Sequence, residues 1–169
     1  MRAFLDRLYS AAGYAAALFM VVTLLMVVAG IADRALAFGW RGTDMYAGYA
    51  MAACGFLALA HTFKRGEHIR VSLLLQAASP RVKRLMEIWS LLAAGLLAAA
   101  LAFYSVKLTW QSWDFHDIST GNDATPLWIP QIGMAVGAIV LFIALLDDLV
   151  LELRGKRVVH SSGEMLRNE

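Results

Sequence analysis

The stretch LYSAAGYAAALFMVVTLLMVVAGIA, residues 8–32, runs 25 positions without an Asp, Glu, Lys, Arg or His. A helix needs roughly 20 mostly apolar residues to cross about 30 Å of hydrocarbon. This run is therefore long enough to span a bilayer. The flanks MRAFLDR and ALA at 35–37 imitate a secretory signal. A signal's apolar core, however, is only about 7–15 residues, and here Asp33 and Arg34 follow the run. Its length reads as a retained span.

The rest of the chain repeats the pattern. Uncharged runs cover Met45–Ala60, Ile88–Val106 and Ala124–Leu146, and the first of these continues through His61 to Phe63. The 169 residues are 60% hydrophobic and 17% charged, against about 25% charged in soluble domains. The mean hydropathy is +0.61. These observations predict one all-α integral membrane domain over 1–169, with four transmembrane helices at about 8–32, 45–63, 82–108 and 126–150. A single thiol, Cys54, forms no internal disulfide and is silent about redox compartment.

Charge placement predicts the orientation. With four spans, twelve of the fifteen Lys and Arg residues fall on the side of the termini and the 64–84 loop, and only Arg34, Arg41 and Lys107 fall on the other. The positive-inside rule puts both termini in the cytoplasm. Trp40, Tyr46, Trp110, Trp113 and Trp128 then gather at the outer interface, where amphipathic rings prefer to sit.

No span carries an acidic or basic residue near its middle, where such groups usually mark ion or substrate pathways. Asp33, Glu87, Asp147, Asp148 and Glu152 read as solvated or locally paired span ends, Glu87 with Lys83 or Arg84. Small residues are plentiful: Gly48, Ala52 and Gly55 in the second span, and Gly133 and Gly137 in the fourth. In lipid such residues let helices approach closely, so these are candidate contacts within the bundle or with a partner.

The polar stretch 64–84 reads as an anchor. Gly66 bends the chain, and Lys64, Arg65 and Arg70 meet anionic headgroups. Over 66–79 a short interfacial helix is predicted between the second and third spans, seated by Val71, Leu74 and Leu75. Ser79 and Pro80 open the third span as N-cap and first helical residue. His68 has no accompanying metal-spaced ligands and reads as a hydrogen-bonding group at the bend. The sequence indicates no catalytic, metal or cofactor residues and no nucleic-acid partner; membrane lipids are the partner read directly.

Three stretches in this order resemble a known family. FKRGEHIRVSLLL carries Arg65, Gly66, His68, Ile69, Arg70 and Val71. DRALAFGWRGTDMYAGY carries Arg34, Trp40 and Asp44, and STGNDATPLWIPQIGMAVGAIVL carries Pro126 and Pro130 ahead of a Gly-rich span. Together they are similar to the small membrane subunit, DctQ, of tripartite ATP-independent periplasmic (TRAP) transporters. The resemblance implies no enzyme. It implies a bacterial inner-membrane scaffold for a large multi-span, DctM-like elevator subunit, with a periplasmic substrate-binding protein delivering organic acids under sodium coupling. The alternative is a four-helix anchor of a haem or quinone complex. Haem needs histidines on facing helices, whereas His61, His68, His116 and His160 lie at span ends, in loops or in the tail.

Overall fold

A computed structural model describes residues 2–66, 79–121 and 123–155. Four helices form among these residues: α1 Arg2–Leu36, α2 Thr43–Arg65, α3 Pro80–Asp114 and α4 Trp128–Leu153. No strand forms among the described residues, and Ile118 and Pro126 make an isolated bridge. The helices outrun the uncharged runs because a helix keeps its own backbone hydrogen bonds past the apolar limit, where polar side chains meet water. Gly66 ends α2 in the left-handed conformation at φ 73°, its N–H donating to Phe63 O. Ser79 and Pro80 stand at the cap and first position of α3, although the Ser79 hydroxyl makes no cap bond.

Among the described residues, three helices are long and apolar enough to cross a membrane: Phe4–Leu36, Pro80–Asp114 and Trp128–Leu153. The sequence reading expects four. The second helix is long enough, at 23 residues or about 34 Å, but Thr43, Asp44, His61, Thr62 and Lys64 dilute its apolar character. Its place in the fold explains the difference. It lies between two neighbours and turns Ala47, Ala50, Ala53, Leu57 and Ala60 inward, so packing takes over part of what lipid-facing side chains do elsewhere. The expected interfacial helix, with His68, Arg70, Val71, Leu74 and Leu75, lies outside the described residues.

The helices form a row rather than a closed bundle. α1 packs on α2, α2 on α4 and α4 on α3, while α1 barely reaches α4. Two hairpins, α1–α2 and α3–α4, are thus joined along the α2–α4 seam. One buried cluster, Tyr9, Ala12, Ala60, Val140 and Ala144, ties α1, α2 and α4; another, Leu91, Ala98 and Leu145, ties α3 to α4. Both hairpin connections lie at one end of the row, and the N-terminus of α1 and the C-termini of α2 and α4 lie at the other. α2 and α4 therefore run parallel. The outer faces of the row are apolar and open: Tyr14 is 79% exposed in α1 and Leu97 73% in α3.

Candidate functional site

The α2–α4 seam is closed by glycine at one level and by charge at another. A Cβ on Gly133 would sit 2.7 Å from Ala53 Cβ, and one on Gly137 would sit 2.5 Å from the Phe56 backbone. Only hydrogen fits there. The expected Gly133–Gly137 contact thus lies inside the chain. Gly48, Ala52 and Gly55 face outward instead, with open space around Gly48 and Gly55.

Two to three turns further on, Lys64 Nζ lies 2.5 Å from Asp147 Oδ2 and 2.6 Å from Asp148 Oδ1, with all three side chains at most 22% exposed. The ammonium also stands 5.2 Å above the Tyr9 ring of α1, a favourable cation–π distance. The sequence reading sends Lys64 to lipid headgroups and leaves the aspartates solvated or paired along their own helix. The structure corrects both: α2 and α4 bring the three groups together, and a part-buried charge needs a partner held in hydrogen-bonding geometry. Glu152, read as solvated or locally paired, is buried. Glu87 makes no ion pair with Lys83 or Arg84 among the described residues, and Arg84 reaches Leu153 O at 3.2 Å. An exposed helical pair is worth too little to hold those long side chains together. Arg65 is exposed.

His61 occupies the α1–α2 seam. Its Nδ1 lies 3.2 Å from Tyr9 O, and a Cβ on Gly13 would come within 2.8 Å of its ring.

At the connection end, hydrogen bonds order the first loop and tie the second loop to α2. Asp33 Oδ1 accepts the Trp40 N–H at 2.8 Å, and Arg34 pairs with Asp44 at 3.0 Å. The second pair is well exposed, so it orders the turn more than it stabilises it. Tyr49 Oη donates toward Ser119 Oγ (2.9 Å) and Asp123 Oδ2 (3.1 Å), and Ser119 Oγ donates to Asp123 Oδ1 at 2.8 Å. Hydrogen bonds from Thr125, then Ser119 and Tyr49, hold the Asp123 carboxyl below the usual carboxylate range. Gly42, at φ 85°, turns the first loop against Asp123; a Cβ there would come 2.8 Å from Asp123 Cβ. Pro126 lies in the isolated bridge and Pro130 in the first turn of α4, where a missing N–H leaves nothing unpaired. Trp113 meets Trp128 edge-on at 4.8 Å, joining the facing ends of α3 and α4.

The structure thus gathers three resemblance positions, Arg34, Trp40 and Asp44, at one turn, and Lys64 into a cluster. The sequence reading misses Tyr9, Tyr49, Ser119 and the Lys64 pairing with Asp147 and Asp148. One signal for that pairing was present: Lys64 and the two aspartates fall at the same membrane edge.

Among the described residues, no three His, Cys, Asp or Glu side chains come together to hold a metal ion. The arrangement is one of helix contacts and terminal locks, suited to holding shape. No curated protein and no solved structure matches the chain. The family model for the DctQ component of tripartite ATP-independent periplasmic transporters matches residues 20–155. The chain belongs to that family, and is a small membrane component of a TRAP transporter.

Proposed function

We propose that this protein is the stationary scaffold of a sodium-coupled, binding-protein-dependent transporter of organic acids. A large DctM-like subunit lies against its open apolar faces, and a periplasmic protein delivers the substrate. The observation that carries this reading is the helix row itself, which is locked internally at both ends yet leaves wide apolar faces uncovered on α1 and α3. A bundle working alone in lipid would gain more helix–helix packing by closing. A row broadens a partner's footprint.

In this reading α2 is the fourth span, and the termini and the 66–79 segment face the cytoplasm, as the basic-residue asymmetry supports. Arg65 and Arg70 hold the anionic leaflet, each contributing about 1 kcal/mol; Lys64 is spent on Asp147 and Asp148 instead. Val71, Leu74 and Leu75 seat the connecting segment in the interface, with His68 hydrogen-bonded at the bend.

Reconstitution tests the proposal. Vesicles with this chain alone show no organic-acid uptake under a sodium gradient, and uptake appears when the large subunit and the binding protein are added. Uptake by the isolated chain, or full uptake by the other two components without it, overturns the scaffold reading.

A further inference from the structure

We propose that the wedge between α1, α2 and α4 is a lipid site, holding one acyl chain from the leaflet on the connection side. The cavity there has a volume of about 470 Å³, within the usual range for small-molecule sites. α2 forms its floor, and the poor contact between α1 and α4 leaves it open to lipid.

Its shape selects the occupant. Along α1 the lining runs from Met26 to Phe19, about 10 Å of helix and less than half of a ~30 Å hydrocarbon layer. It stops where Gly133 closes on Ala53, and beyond that level the buried cluster of Tyr9, Ala12, Val140 and Ala144 draws α1 toward α4. A groove that starts at one surface and ends near the midplane cannot seat a membrane-crossing helix along its length. It does fit the chain of a lipid from one leaflet, which also ends there.

Polarity follows the same axis. The deep walls are apolar, whereas the mouth carries Tyr46 and Thr125. The two hydroxyls pair there, with Tyr46 Oη 3.2 Å from Thr125 Oγ1. A polar hydroxyl pair at the edge of an apolar groove matches an acyl chain joined to a polar ester. Tyr49 of α2 ties down Ser119 and Asp123 of the second connection above the mouth.

This inference stands apart from the transport reading, and its test reads lipid rather than uptake. The full chain, alone and co-purified with its large subunit, is placed in nanodiscs. These contain phosphatidylglycerol bearing a diazirine at the end of one acyl chain. After illumination, adducts concentrate at Phe19 and Ala53, at the deep end, several-fold above the outward-facing Leu18, Leu25 and Leu97, in both preparations. Val22→Trp and Ile129→Trp, made separately, each lower labelling in the wedge several-fold and leave Leu97 labelling and the melting temperature unchanged. Equal labelling of wedge and outer faces overturns the proposal. So does unchanged wedge labelling in a folded Trp variant. Labelling that disappears when the large subunit is present assigns the wedge to a partner segment and overturns it as well.

Discussion

The α2–α4 seam is held by opposite chemistry at its two levels. Around Gly133 and Gly137 there is no charge and no room: Gly133 lies against the Ala53 Cβ and Gly137 against the Phe56 backbone. At the far end, Lys64 bridges Asp147 and Asp148 through long, hydrogen-bonded side chains. Depth explains the difference. In hydrocarbon, helices gain nothing from burying apolar surface and rely on close packing, whereas ions are affordable only near the edge, where water and headgroups lower their cost. The glycine contact is rigid and intolerant of bulk. The ionic one tolerates replacement if its charge is balanced.

Replacing glycine strikes the rigid level and has the largest effect. Gly137→Leu pushes a side chain into the Phe56 backbone, and overpacking of that kind costs about 3 kcal/mol or more when backbone must move. Combined with Gly133→Leu, it separates the two hairpins. The measurement is the melting temperature of the purified protein and its co-purification with the large subunit; wild-type values for both would show that the seam is not held there.

The ionic level gives a smaller loss and one that can be repaired. Lys64→Met leaves two part-buried carboxylates facing each other, a change costing roughly 2–4 kcal/mol after allowance for partial exposure. Adding Asp147→Asn and Asp148→Asn removes the stranded charge and recovers most of the melting temperature. Recovery separates electrostatics from shape; a triple variant no better than Lys64→Met would mean that the lysine stem, not its charge, fills the seam.

The smallest effect belongs to the loops at the opposite end. Tyr49→Phe removes the hydroxyl that reaches Ser119 and Asp123, costing about 1 kcal/mol. Asp123 has a lowered pKa in the folded protein. Its contribution is therefore complete above the ordinary carboxylate pKa of about 4 and fades as the pH falls through the lower folded value. Melting curves of wild type and Tyr49→Phe should stay a constant distance apart from pH 8 to 5 and converge in stronger acid. A gap that closes near neutrality would show that another group governs the lock.

Much of this was legible in the residues. Uncharged runs announced the helices, Gly66 and Pro80 marked where helices stop and start, and the three short stretches with Arg34, Arg65 and Gly133 carried the family. The candidate site was less legible. Gly133 and Gly48 look alike in sequence, since both sit in small-residue patterns, yet one is pressed against Ala53 and the other faces open space. Lys64 sits among other basic residues and reads as one more anchor. Tyr49, Ser119 and Asp123 are an ordinary tyrosine and two loop residues until the two connections meet.

By itself the sequence determined that the chain is helical and made for a membrane. An uncharged run must satisfy its own backbone in lipid, and a helix does so locally, whatever its neighbours. Tertiary structure alone decided the order of the row, the burial of α2 between α1 and α4, and the partner of Lys64. Those depend on which face of each helix meets which neighbour. Small residues spread over every helix, and charges of both signs at one membrane edge, permit several pairings. Only the fit of Gly137 against the Phe56 backbone, with Lys64 brought between two aspartates, selects one.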